Sequence, residues 1–250
     1  TIGQLKKMIK GVLFDLGGTL VSYSNVETVI ETILAETKQR KSTKLSTEQL
    51  KILYKEARIE VTHNYIGKRF YLHGDLFLDI FKNFTKKAGI DADKEFFRWI
   101  SERHEYLLIQ SFELIKNAQR TLIDLSKKNF IIGVVSNIDH SMLEQILINT
   151  KIKHLINFGI SSESAQSCKP DRRIFEVAKR KSGLMKSELL FVGDSLEHDI
   201  YGSNKYGIQN VLFSERNITA PLQTGKYYEE PNFSIADLSD LSNLIFNLNR

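Results

Sequence analysis

Lys10-Gly11-Val12-Leu13-Phe14-Asp15-Leu16-Gly17-Gly18-Thr19-Leu20 sets a short apolar run against a carboxylate and a pair of glycines. A run of that length, bounded by turn residues, reads as a buried strand feeding a tight turn. The same grammar returns after Ile115. Helical patterns over 121–128, 141–150, 171–182 and 199–206 alternate with strand patterns at 130–135, 158–160, 189–193 and 210–213. Such alternation predicts an α/β fold with a parallel sheet and helices on both faces. Ligands bind such sheets beyond the carboxyl ends of the strands, so Asp15, Ser136-Asn137 and Asp194 are expected to converge.

The first strand is separated from the second by a stretch of different rhythm. Val26, Val29, Ile30, Ile33 and Leu34 recur at helical spacing, Ser46 and Gln49 form a capping box, and Leu76, Phe77, Ile80, Phe81 and Phe84 make a stripe closed by Gly89. Phe96, Phe97, Ile100, Tyr106 and Leu107 predict a further helix, and no strand is read in this stretch. No Gly-, Pro- or Ser-rich linker sets it apart, so it reads as an insertion. The expected organisation is a Rossmann-like core, 1–21 and 111–250, interrupted by an all-helical unit, 22–110. Beyond the last core strand, 213–233 reads as a loop or short strand and 238–248 as a helix packed on the sheet.

Composition narrows the function classes. The 250 residues are 42% hydrophobic and 26% charged with 3 prolines, which describes a folded chain with a real core and no disordered tail. The longest apolar runs fall far short of the roughly 20 residues that cross a bilayer, and residues 1–8 carry no secretory pattern. One cysteine, Cys168, excludes an internal disulfide and a Cys-based zinc cluster, and the expectation is a cytoplasmic protein. The net charge of +5 is dispersed over short Lys and Arg pairs, so neither nucleic acid nor membrane is expected as a partner. Oligomeric state is not readable.

Two carboxylates brought to one crevice, Asp15 and Asp194, favour a hard cation such as Mg²⁺. Ser136, backbone N–H groups at a strand-to-helix turn, and Lys169 offer donors and a positive charge to an anion, most simply a phosphate. A carboxylate touching a neutralised phosphoryl group is placed to act as a nucleophile.

Phe14-Asp15-Leu16-Gly17-Gly18-Thr19-Leu20, Val135-Ser136-Asn137, Cys168-Lys169-Pro170-Asp171 and Val192-Gly193-Asp194-Ser195-Leu196-Glu197-His198-Asp199 resemble, in order and spacing, the four motifs of the haloacid dehalogenase-like hydrolase superfamily. The resemblance spans about 9–213, and the helical insertion looks like the cap of the phosphatase-rich branch. It implies a phosphatase using Mg²⁺ on a small phosphorylated metabolite. Asp15 would be the nucleophile, with Mg²⁺ held by Asp15, Asp194 and the Gly17 carbonyl. Ser136, the Asn137 N–H and Lys169 would bind the phosphoryl oxygens. Ser195 and Asp199 would support the site, Asp199 through the metal or Lys169, and Thr19 would tie the first loop to the core.

One position departs from that pattern. Phosphatases of the superfamily carry a second aspartate where this chain has Gly17, and that group serves as general acid and base, a service worth roughly 10²–10⁴ in rate. Its absence favours substrates with good leaving groups, or an acid recruited from the cap or a bound water. The alternatives are a dehalogenase or phosphonatase of the same superfamily, or a weakened binding protein. The intact Asp194 and Asp199 speak against the first, because dehalogenases of this superfamily work without metal.

His63, Tyr65, Lys68, Arg69, Tyr71 and His73 cluster around Gly67 and Gly74, and the simpler reading is a solvated connection with rings packed on the helices. His140 and His198, beside the second and fourth motifs, read first as exposed turn residues. Trp99 is expected inside the helical unit and Cys168 as a small packed residue.

Overall fold

A computed structural model describes residues 8–213, 223 and 225–250. The strands are β1 (Gly11–Phe14), β2 (Ile131–Ser136), β3 (Phe158–Ser161), β4 (Leu189–Gly193), β5 (Gln209–Phe213) and β6 (Phe233–Ile235). They form one parallel sheet in the order β3-β2-β1-β4-β5-β6. The first strand is therefore central, which is why its four residues are all buried and apolar. From β1 the chain builds outward first on one side, through β2 and β3, and then on the other, through β4 to β6. That reversal opens a crevice beyond the carboxyl end of β1.

Strand periodicity sorts side chains to the two faces. Val12, Phe14, Val134, Val192 and Val211 pack on one face with α5 (Ala118–Lys127), α6 (His140–Asn149) and α10 (Leu241–Leu248). Leu13, Val135 and Phe191 pack on the other with α8 (Arg172–Ser182), while Tyr206 joins them from α9 (Gly202–Tyr206). A short helix, α7 (Ser162–Ala165), follows β3.

Between β1 and α5 lie α1 (Val26–Lys41), α2 (Thr47–His63), α3 (His73–Lys87) and α4 (Lys94–Ser111). They share a separate apolar core built on Leu34, Leu50, Ala57, Ile80, Phe81, Phe84 and Ile100. The box at Ser46 closes as the spacing predicts: Gln49 donates its N–H to Ser46 Oγ, and Ser46 donates its N–H to Gln49 Oε1. The chain leaves and re-enters the core side by side, with Val21 bridged antiparallel to Leu114 and the Ser22 N–H donating to the Glu113 carbonyl at 2.9 Å.

Three expectations need correction. The helix read at 199–206 is instead a π-helical turn, Leu196–Tyr201, running into α9, because Ser195 caps the earlier start by accepting the His198 N–H. A sixth strand, β6, lies at the edge beside β5, beginning at the residue where the tail segment was taken to end. Trp99 is half-buried and sits under the Arg40 guanidinium at 4.7 Å. Residues 214–222 and 224 of the expected connection over 213–233 lie outside the described residues.

Candidate active site at the carboxyl edge of the sheet

Four segments meet at the crevice because each follows a strand end or the loop before α8. Asp15 follows β1 and is pinned by its own N–H donating to the Val192 carbonyl at 2.9 Å. Ser136 ends β2, and Asp194 follows β4. Lys169 arrives from the loop before α8 and is held there by Asn137. The Asn137 Oδ1 accepts the Lys169 N–H at 2.6 Å, and the Asn137 side-chain amide donates to the Lys169 carbonyl at 3.0 Å.

The Lys169 ammonium then bridges two carboxylates, Asp15 Oδ1 and Asp199 Oδ1, each at 2.6 Å. Asp199 uses its other oxygen to accept the Ser195 N–H at 3.0 Å. Burial alone would lower the Lys169 pKa, but Asp15 and Asp199 beside it outweigh that and hold it raised. For Asp15 the balance runs the other way: burial raises its pKa against the pull of Lys169.

Asp15, Asp194 and Asp199 have oxygens within 4.8 Å of one another. With one ammonium against three carboxylates the cluster is short of positive charge. Burial first, then Asp15 and Asp199, push the Asp194 carboxyl up to about 9. The donors are all oxygen and mostly buried, which suits a hard divalent cation. Glycine at 18 serves the same end. Its φ is +78°, and a Cβ there would lie 2.7 Å from Asp194 Cγ, so only glycine lets the first loop come this close to that carboxylate.

The sequence-derived residues Asp15, Ser136, Asn137, Lys169, Asp194, Ser195 and Asp199 therefore line one cavity. Gly17 lies beside it in the turn closed by the Leu20 and Val21 N–H groups on the Leu16 carbonyl. Thr19 is fully buried under the first loop, and its hydroxyl has no partner among the described residues.

Three lining residues lie outside the motifs, Tyr23, Tyr71 and His73, and a fourth, His198, lies within the last motif at a position to which the resemblance gives no role. Tyr65 and Tyr71 pack on the helical core while His63, Lys68 and Arg69 are exposed, as the solvated-connection reading expects, but Tyr71 and His73 also line the crevice, which it did not. The helical unit brings them down through contacts to the core. Asp139 accepts the N–H groups of His73 and Gly74, each at 2.7 Å, at the N-terminus of α3. The Cys168 N–H donates to the Arg69 carbonyl at 2.8 Å, and Arg69 pairs with Asp171 at 3.2 Å. Burial, reinforced by His198 and only partly opposed by Asp139, lowers the His73 pKa to about 4, so this roof residue is neutral. His140 is exposed, as expected, whereas His198 is half-buried against the crevice. A larger cavity of about 310 Å³ continues from the crevice between the 65–71 segment and Tyr201, Tyr227 and Pro170.

The family profile described as haloacid dehalogenase-like hydrolase matches residues 12–213. The chain is 24% identical over 247 residues to an (S)-2-haloacid dehalogenase of Pseudomonas fluorescens, covering 96% of this chain and 98% of that one. It is 28% identical over 224 residues to a glyceraldehyde 3-phosphate phosphatase of Methanopyrus kandleri, covering 89% and 87%. Among solved structures, the magnesium-bound HAD-hydrolase YfnB of Bacillus subtilis superposes with a TM-score of 0.72 at 18% identity, covering 96% of this chain and 99% of that one.

Proposed function

The chain belongs to the haloacid dehalogenase-like hydrolases, and from that premise we propose that it is a Mg²⁺-dependent phosphatase acting on a small phosphorylated metabolite. The observation that carries this reading is the third carboxylate. Asp194 stands beside Asp15 and Asp199, while Lys169 is already committed to the other two. Such a floor needs a cation before it can accept an anion. A 2-haloacid brings its own carboxylate, and without a cation the floor would repel it.

Asp15, Asp194 and the Gly17 carbonyl are the groups that would hold Mg²⁺. Bound there, the ion would neutralise the floor and withdraw charge from the phosphoryl oxygens. Lys169 fixes Oδ1 of Asp15, which leaves Oδ2 to attack phosphorus. Attack forms the aspartyl-phosphate as the bond from phosphorus to the leaving oxygen breaks. Ser136, the Asn137 N–H and Lys169 hold the phosphoryl oxygens, and water then releases phosphate and restores Asp15. Asp199 orients Lys169, and residues 22–110 close over the reaction as a cap.

The test is hydrolysis of p-nitrophenyl phosphate with Mg²⁺, with EDTA and with Asp15→Asn, run beside halide release from 2-chloropropionate. Mg²⁺-dependent turnover that requires Asp15 is expected. Halide release indifferent to EDTA would replace the phosphatase reading with a dehalogenase one.

A further inference from the structure

Gly17 leaves no empty space in the crevice. A Cβ built at this position would overlap the Tyr23 hydroxyl and lie 2.6 Å from Tyr23 Cζ and 2.9 Å from its Cε1. The tyrosine ring thus occupies the room that a side chain at 17 would need, and Tyr23 lines the same cavity as Asp15, Ser136 and Lys169. Its ring also meets Phe112 edge-on at 6.4 Å, which steadies it from the return segment of the cap. Its hydroxyl makes no hydrogen bond to another described residue. A donor in this position, without a protein acceptor and beside the nucleophile, is available to a substrate.

Resting on the phosphatase reading above, we propose that Tyr23 is a catalytic residue that takes the place of a side chain at 17. Its hydroxyl donates a hydrogen bond to the oxygen bridging phosphorus and the leaving group. As Asp15 attacks, the phosphorus–oxygen bond breaks and its electron pair stays on the departing oxygen. The Tyr23 proton remains on Tyr23, and the departing anion takes a proton from water after release. A donor that shares its proton without surrendering it assists stable leaving anions most readily. The substrates fitted to this site are therefore acyl, enol, aryl or anomeric phosphates, not simple alkyl esters.

Two measurements test the proposal, and the first needs no turnover. In a stability cycle, Gly17→Ala is expected to lower the unfolding temperature when Tyr23 is present and to cost little more in a Tyr23→Ala background. Equal costs in both backgrounds would overturn the claim that the ring fills this space. In the second, kcat/KM is measured over aryl phosphates of graded leaving-group pKa and an alkyl phosphate, for the wild type and Tyr23→Phe. The variant is expected to lose activity on all of them, with the loss growing by about tenfold or more from the best leaving group to the worst. A uniform loss would assign Tyr23 to packing alone. A wild type without Asp15-dependent turnover would overturn the phosphatase reading and the Tyr23 chemistry together, while the stability cycle would still report on the ring.

Discussion

The floor of the crevice and its roof are built on opposite principles. The floor is ionic: Lys169, from the loop before α8, is clamped between Asp15 and Asp199 at 2.6 Å, with Asp194 alongside. The roof is neutral and aromatic, Tyr71 and His73, and reaches the core through the His73 and Gly74 N–H groups donating to Asp139 and the Arg69 carbonyl accepting from the Cys168 N–H. The floor must keep charged groups in fixed geometry for chemistry. The helical unit also packs on the core through Val29, Leu108 and Ile109, so the roof is seated by apolar contacts as well as by these hydrogen bonds.

The largest expected effect would come from breaking the floor. Lys169→Met removes the ammonium shared by two buried carboxylates, and kcat should fall by about a thousandfold with stability reduced by about 3–5 kcal/mol. Asp15→Asn should abolish turnover without that loss of stability, since burial works against the Asp15 charge. Denaturant titration beside the kinetic assay separates the two. A Lys169→Met protein as stable as the wild type would show that the ammonium does not hold the two buried carboxylates in place.

A second prediction concerns the helical side. His104 is buried between Phe77 and Phe81, with ring centroids at 4.4 and 5.3 Å, and burial lowers its pKa from 6.5 to about 4. The unfolded chain binds the proton more readily, so stability is intact above about pH 6.5 and declines as the pH falls towards 4. Each such histidine accounts for about 3 kcal/mol at most over that window. His73 shifts in the same direction and Asp194 in the opposite one, so His104→Leu should reduce the slope in unfolding free energy against pH by about 1.4 kcal/mol per pH unit between pH 4 and 6.5. An unchanged slope would place the acid sensitivity elsewhere.

The third measurement is thermal unfolding with Mg²⁺. At a hundredfold excess over Kd the wild type should gain about 2.7 kcal/mol, and Asp194→Asn should gain much less. Equal gains would remove Asp194 from the cation's ligands. The smallest effect is expected from Asp139→Ala, which frees the two N–H groups opening α3. It should cost about 1 kcal/mol and lower kcat/KM several-fold while leaving the floor intact. A loss as large as that of Lys169→Met would erase the distinction between floor and roof.

The same division explains what could be read in advance. Asp15, Ser136 and Asp194 sit at strand ends, where the fold converts order along the chain into position, and Lys169 sits in the loop before α8, so all four carried their meaning in the motifs. The β4 boundaries followed from an uninterrupted apolar run that is buried along its whole length. By contrast, β6 has three residues, none of them fully buried, and its pattern is too short to separate from a loop. Tyr71 and His73 belong to no motif, and their rings looked like ordinary packing until Asp139 was seen to draw the start of α3 down onto the core. Tyr23 is invisible for another reason. Its significance depends on a glycine six positions earlier, and only the turn through Leu16 and Val21 brings the two together. That contact also changes the outlook for restoring an acid at position 17, because Gly17→Asp would have to displace a ring and not merely fill a gap.

The antiparallel bridge between Val21 and Leu114 has a consequence for how such a molecule can diversify. Partners across such a pair have Cα atoms about 5 Å apart, a distance that a tight hairpin turn can span. The helical unit can therefore be excised or exchanged at a single seam without parting the strands that carry the ionic cluster. Tyr23 lies on the helical side of that seam, so a different bundle spliced there would bring its own group to stand beside Gly17, while Asp15, Lys169, Asp194 and Asp199 would stay with the sheet.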